Sequence, residues 1–422
     1  MDEGINSSTP AWLTEEFIEA ILREDEKTQH LQVARADVQP AVAKGDNFGG
    51  LLHRVTAEIY YQNNGNNQEK SELRCIIVKS LPSDDWYREV LDQAGVFKRE
   101  MRMYKVILPA MYKLLKEKLP GVTIPALTAR TYTSSITNET LVLEDLRPLG
   151  YRMVDRRQQL DLEHCVVALR ALAQFHALSV ALNDRDPSLM DHFREGFYTP
   201  ERRHILSPFL QPTLDTLASA VEKWPEYERF GDKIRQIAAT SVDRIIDVVK
   251  PKNNSLCVLN HGDFWINNIL FRYHPKNGKV LGAKFVDFQV SRYSSPALDL
   301  QYFIYTSAKE DVRDKSLRHL LQEYHASLTH TLQLLGCGKY AITFGELEQE
   351  MKERAFFGLI TACTYLGAVL ADPSEVVDLD SNFGEESRKN GGQSPMEKAY
   401  AGERFRKIFR KFLIHFENEG LL

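Results

Sequence analysis

The sequence predicts an α+β protein with a small antiparallel β-sheet lobe followed by a larger, mainly helical lobe. Three observations carry this. Short apolar segments bounded by turn residues fill the first 145 positions, helical periodicity dominates the rest, and 422 residues exceed what one small core organises. The boundary falls at the linker near 144–148, giving lobes 1–145 and 146–422.

Within the first lobe, Phe17, Ile18, Ile21 and Leu22 form a helical stripe over Thr14 to Glu24, with Thr14 as N-cap. A glycine-rich stretch, Gly45-Asp46-Asn47-Phe48-Gly49-Gly50, precedes a strand over Leu51 to Tyr61. Asn63 to Asn67 reads as a turn, and Leu73 to Lys79 as the next strand. Phe97, Met101, Tyr104, Leu108, Met111 and Leu115 then mark one long helix that stops at Pro120-Gly121 and is expected to pack on the sheet. Ala126 to Thr133 and Glu139 to Glu144 are further strands.

The second lobe reads as helices over Leu162 to Leu182, Leu210 to Val221 and Asp232 to Val249. A central hairpin interrupts them, and they resume over Ala297 to Tyr305, Arg313 to Leu335, Phe344 to Leu370 and Met396 to Phe416. The polar run from Asp378 to Ser394 reads as a mobile loop.

Composition excludes several classes. A net charge of −5 argues against a nucleic-acid partner. Five scattered cysteines, without Cys-x-x-Cys spacing, fit reduced thiols in a cytoplasmic protein rather than a disulfide framework or zinc site. No secretory leader pattern is visible, and no apolar run approaches the ~18 residues of a membrane span, so no membrane insertion is expected.

The most specific chemistry lies in Leu259-Asn260-His261-Gly262-Asp263-Phe264-Trp265-Ile266-Asn267-Asn268 and Phe285-Val286-Asp287-Phe288. Between them, Ile269 to Tyr273 and Lys279 to Val286 read as two strands joined by His274-Pro275-Lys276-Asn277-Gly278, a turn sequence. An antiparallel hairpin places the start of its first strand beside the end of its second. Asn268 and Asp287 therefore meet, with Asp263 in the entering loop. Such hard oxygen donors suit Mg²⁺. Taken singly, each is as well explained by a turn or capping role; all three at this spacing favour a phosphate–metal site.

Asp-x-x-x-x-Asn, strand, turn, strand and Asp-Phe resemble the bilobal protein-kinase-like fold, and the His-Gly-Asp form is similar to its aminoglycoside and choline kinase branch. The longer strings, through Gln289-Val290-Ser291-Arg292-Tyr293-Ser294-Ser295-Pro296-Ala297-Leu298-Asp299-Leu300, closely resemble the ecdysteroid-kinase-like (CHK kinase-like) family. The resemblance spans roughly Trp12 to Phe416.

It implies a nucleotide-binding first lobe and a catalytic, substrate-binding second lobe, with ATP and Mg²⁺ as cofactors. Asp263 would orient the attacking hydroxyl and accept its proton, and Asn268 and Asp287 would hold the metal. Lys79, at the end of an apolar strand, resembles the phosphate-contacting lysine. Glu100, in Phe97-x-x-Glu100-x-x-x-Tyr104, resembles its ion-pair partner. Gly45 and Asn47 occupy the place of the nucleotide-covering loop, although a plain hairpin fits nearly as well. Glu144 and Leu146 resemble the hinge whose backbone reads the adenine edge, with an ordinary strand exit as the other reading. Gln289 departs from Asp-Phe-Gly and argues against a protein-kinase-style switch there.

Other residues read as structural. Asp299 is expected to fix the catalytic loop from a helix terminus, His261 to pack and hydrogen-bond within that loop, and His176 to be a satisfied core histidine.

Only 12 positions separate Asp287 from Asp299, and no Ala-Pro-Glu follows, which favours a small-molecule alcohol over a protein acceptor. The resemblance implies a steroid hydroxyl (ecdysteroid-like) or another lipophilic alcohol, as in detoxification. Trp265, Tyr293, Tyr302 and Phe303 are candidates to line its pocket. A nucleotide-binding pseudokinase, a choline- or aminoglycoside-type kinase and a two-metal hydrolase built on Asp263, Asp287 and Asp299 are the alternatives. Oligomeric state is not encoded legibly.

Overall fold

The computed structural model describes residues 9–41, 50–61, 71–81, 85–122, 125–135, 139–252, 255–372 and 394–422. It divides into two compact units, Met1–Gln93 with Thr128–Tyr151, and Ala94–Leu127 with Arg152–Leu422.

The first unit is built on a five-stranded sheet: β1 (Leu31–Pro40), β2 (Leu51–Tyr61), β3 (Ser71–Ser80), β4 (Thr131–Tyr132) and β5 (Thr140–Glu144), in spatial order β1-β2-β3-β5-β4. Every pairing is antiparallel. Strand alternation turns Val55, Ala57 and Ile59 of β2, with Ile76 and Val78 of β3, into one apolar face. The helix Glu15–Glu26 covers that face with Ile18, Ile21 and Leu22. Thr14 caps it as expected, its Oγ1 accepting from Phe17 N at 3.3 Å.

β1 was not visible in the sequence. It is an edge strand, largely exposed and interrupted by a bulge between Val33 and Arg35, so it needs little apolar alternation.

The long helix expected on the sheet belongs instead to the second unit. It runs Val96–Arg102, widens to a π turn over Met103–Ile107 and continues as Leu108–Lys118. Pro109 sits in the first turn after the widening. Its ring crowds the preceding carbonyls and it has no N–H to donate, a conflict that a π turn relieves.

In the second unit, the helix Leu162–Arg185 packs along Glu310–Leu334, and Arg203–Val221 along Phe230–Val248. The span expected as Phe344 to Leu370 is two helices, Phe344–Glu353 and Ala355–Leu370, bent by 54°. Met396 to Phe416 likewise divides at Gly402 into Pro395–Ala401 and Glu403–Asn418. Among the described residues, Leu162–Arg185 alone is by itself long and apolar enough to cross a membrane, and most of it is buried within the protein. The expected turn at Asn63–Asn67 and the polar run before Ser394 lie outside the described residues, as do Gly45 and Asn47.

Candidate active site

The central hairpin forms as its turn chemistry dictates, Ile269–Tyr273 pairing antiparallel with Val280–Phe285. Ile269 faces Phe285, and Val286 N donates to Asn268 O at 3.1 Å, so Asn268 and Asp287 emerge at the same end of the ladder. Asp287 adopts φ 67°, a left-handed conformation that an aspartate tolerates better than most side chains.

Asp263 joins them through Asn268, whose Nδ2 donates to the Asp263 carbonyl at 2.9 Å and to its Oδ2 at 2.8 Å. With both amide hydrogens committed, Oδ1 is the Asn268 atom left to act as a ligand oxygen. Burial raises the Asp263 carboxyl to about 7, the neighbouring Asp287 adds to this, and hydrogen bonds from Tyr302 and Asn268 oppose it.

The loop carrying Asp263 is pinned from several sides. Gly262, at φ 87°, lies so close to the segment after Asp287 that a Cβ there would fall 2.2 Å from the Val290 carbonyl oxygen. Only glycine allows that approach. Asp299, at the start of the helix Ala297–Thr306, accepts from His261 N at 2.6 Å and Gly262 N at 2.9 Å. His176 Nε2 lies 3.1 Å from the same carboxylate, and its Nδ1 is 2.7 Å from the Tyr324 hydroxyl. His261 Nε2 donates to Val286 O at 2.9 Å while its Nδ1 accepts from Asp263 N at 3.4 Å, a neutral tautomer consistent with burial lowering its pKa. The structural roles expected for Asp299, His261 and His176 are those observed. Phe288 locks the segment inward, its ring 4.5 Å from His261, 5.5 Å from Tyr104 and 5.6 Å from Phe175.

The four pocket aromatics separate. Tyr302 hydrogen-bonds to Asp263, and Trp265 lies two positions along the same loop. Phe303 is core, 5.3 Å from Phe264, and Tyr293 sits beneath the Arg194 guanidinium at 5.3 Å. The sequence did not reveal that Tyr302 continues into Tyr365 at 5.3 Å and Phe357 at 6.3 Å, with Tyr198 6.0 Å from Phe357. These residues come from three separate segments, Tyr365 and Phe357 sharing the helix Ala355–Leu370, and no local pattern marks them.

Among the described residues no three His, Cys, Asp or Glu side chains group as a metal site. A two-metal carboxylate cluster of Asp263, Asp287 and Asp299 is therefore not what the fold builds, since Asp299 is spent on backbone N–H groups. One carboxylate and one amide oxygen, Asp287 and Asn268, suit a hard cation that keeps waters and phosphate oxygens as its other ligands.

In the first unit, Lys79 is buried, on the sheet face opposite Ile76 and Val78 and in register with Leu52 and Leu141. A Cβ on Gly50 would lie 3.4 Å from Lys79 Cε, so the end of the glycine-rich stretch borders this lysine. Glu144 ends β5, its N–H donating to Arg130 O at 2.8 Å. Leu146 is buried, and its carbonyl accepts from Tyr151 N at 3.2 Å. Asp145 between them pairs with Arg54 at 2.7 Å. Glu100 is buried on Val96–Arg102 in the second unit, so the structure places the expected ion-pair partners Lys79 and Glu100 on separate units.

Solved structures that the chain resembles include the following three. A point mutant of aminoglycoside 2'-phosphotransferase-IIIa in complex with GDP is 12% identical over 89% of this chain and 98% of that one, with a TM-score of 0.39. The wild-type GDP complex is 13% identical over 83% and 97%, at 0.32. A thermostable mutant of aminoglycoside phosphotransferase APH(4)-Ia, in its apo form, is 12% identical over 93% and 99%, at 0.32. No curated protein matches the chain. The model of the ecdysteroid kinase-like family matches residues 44–337, and the chain belongs to that family.

Proposed function

We propose that this protein transfers the γ-phosphoryl group of ATP, with Mg²⁺, to the hydroxyl of a small lipophilic alcohol, of which an ecdysteroid-like steroid is the leading class. The observation that carries this reading is the Asp263 carboxylate, held by Asn268 and placed with Asp287 at the open end of the hairpin, in a member of the ecdysteroid kinase-like family.

Asp263 orients the acceptor hydroxyl and takes its proton. The hydroxyl oxygen forms a bond to the γ-phosphorus as the bond to the β-phosphate oxygen breaks, and a nucleoside diphosphate leaves. A carboxyl titrating near neutrality is suited to accept that proton and release it afterwards. Asn268 and Asp287 would hold the cation, which when bound neutralises charge on the phosphates. Lys79, with Glu100, would contact the phosphates, Gly45 and Asn47 would cover them, and Glu144 to Leu146 would receive the adenine. The Tyr302, Tyr365, Tyr198 and Phe357 rings support an acceptor with extended apolar surface.

Incubating the pure protein with Mg-ATP and a mixed panel of steroids and phenolic and alkaloid alcohols tests this. One or more alcohols gaining the mass of a phosphoryl group, with the gain abolished in Asp287→Asn, is expected. Turnover undiminished in Asp287→Asn overturns the assignment. ATP hydrolysis with no phosphorylated alcohol replaces it with a hydrolase reading.

A further inference from the structure

Three arginines from distant parts of the chain converge on one turn of the second unit. Gly196 O accepts from Arg99 Nη2 at 3.2 Å and from Arg202 Nη1 at 2.8 Å. Arg292 Nη2 donates to Glu195 O at 3.1 Å, and the Arg292 guanidinium lies so close to Gly196 that a Cβ there would meet its Cζ at 3.0 Å. Arg99 Nη1 also reaches Gln289 O at 3.4 Å.

The chemistry of the cluster is unbalanced. All of these partners are carbonyl oxygens, and among the described residues none of the three arginines forms an ion pair. Arg292 is only 4% exposed and Arg99 9%. Nonetheless Arg292 Nε and Nη1, Arg99 Nε and Arg202 Nε find no protein hydrogen-bond partner. Burial pushes both Arg99 and Arg292 down to about 10; Arg202 lowers Arg99 further and Arg99 lowers Arg292, while Glu195 pulls Arg99 and Tyr198 pulls Arg292 the other way. Three buried or half-buried cations against one turn repel one another, and orphaned donors on such groups cost more than ordinary ones. Arg202 is half-buried and Glu195 exposed, so the cluster opens at its edge.

We propose that the Arg99, Arg202 and Arg292 cluster is a binding site for a tetrahedral oxyanion, a phosphate or sulfate group either free or carried on a small organic molecule. Such an anion has enough acceptor oxygens for the orphaned guanidinium donors and a charge that offsets their repulsion. Arg99 lies next to Glu100 and Arg292 five positions past Asp287, so a bound anion ties the helix Val96–Arg102 to the segment leaving the hairpin through the 195–196 turn.

Isothermal titration and thermal melting of the full chain with inorganic phosphate, sulfate and glycerol phosphate test this, each with and without a saturating non-hydrolysable ATP analogue. Saturable binding that persists beside the analogue, with a rise in melting temperature, is expected. Glycerol phosphate outcompeting both inorganic ions assigns the site to an organic phosphate, and the reverse order to a free anion. Arg202→Gln, at the open edge, is expected to weaken binding by about tenfold or more, the loss of one charge-assisted hydrogen bond. Arg292→Lys is the second variant, since a point charge does not replace the planar fork. No saturable binding to the wild type, binding abolished by the nucleotide analogue, or affinity unchanged in both variants overturns the proposal.

Discussion

Asn268 donates both hydrogens of its side-chain amide to a single residue, reaching the carbonyl and the carboxylate of Asp263 at 2.9 and 2.8 Å. The amide thus sets the direction of the acid and exposes its own oxygen. Asn268→Asp would replace two donors by a second carboxylate against Asp263. We expect kcat to fall by roughly a hundredfold or more, with circular dichroism unchanged, because an interaction made in the transition state is lost.

Asp263 itself links pH to both stability and rate. Its folded pKa, raised to about 7, lies above the unfolded value of roughly 3.9. Between these values the native state binds the extra proton, so this contribution to stability is present below about pH 4 and is lost as pH rises through 7. Asp263→Asn should therefore raise stability at pH 8 by about 1–3 kcal/mol in urea titrations while eliminating turnover. For the wild type, kcat/KM should climb with pH to a plateau beyond about 7, following the ionised carboxylate.

Tyr302→Phe separates pocket shape from hydrogen bonding. The Tyr302 hydroxyl opposes the upward shift of Asp263, so its removal should move the acid limb of kcat/KM to higher pH while the ring packing against Tyr365 survives. A limb that does not move would show that the hydroxyl is not coupled to the acid.

Gly262→Ala asks for a Cβ within 2.2 Å of a backbone oxygen at a φ of 87°. The loop must retreat from the segment after Asp287, and we expect a loss of about 2 kcal/mol or more, together with loss of turnover.

Asp299→Ala strands His261 N and Gly262 N, whose acceptor it removes, and leaves His176 without its carboxylate. A destabilisation of about 3–5 kcal/mol is expected from urea unfolding, far beyond that of an exposed acid.

The parts legible in the sequence were those written in contiguous residues. Turn chemistry at His274 to Gly278 fixed the hairpin, and the hairpin alone brings Asn268 to Asp287. Helical periodicity locates nearly every helix, but a stripe tells which face is apolar and not what it faces, so it does not show that Val96–Lys118 belongs with the second unit rather than the sheet. β1 escaped because an edge strand buries little. The Tyr198, Tyr302, Tyr365 group and the three arginines at Gly196 were invisible for a different reason. Their members lie tens to hundreds of positions apart, and only tertiary packing gathers them.

The antiparallel register of the hairpin has a consequence for how its motif can vary. Asn268 and Asp287 stay at the same end of the ladder because Val286 N closes on Asn268 O there, whereas His274 to Gly278 turns at the far end. Residues added in pairs, one to each strand, would lengthen the ribbon without separating those two. The spacing between them is thus a free length of the scaffold, and a reporter peptide or affinity tag inserted at the turn should leave the chemistry at the other end intact.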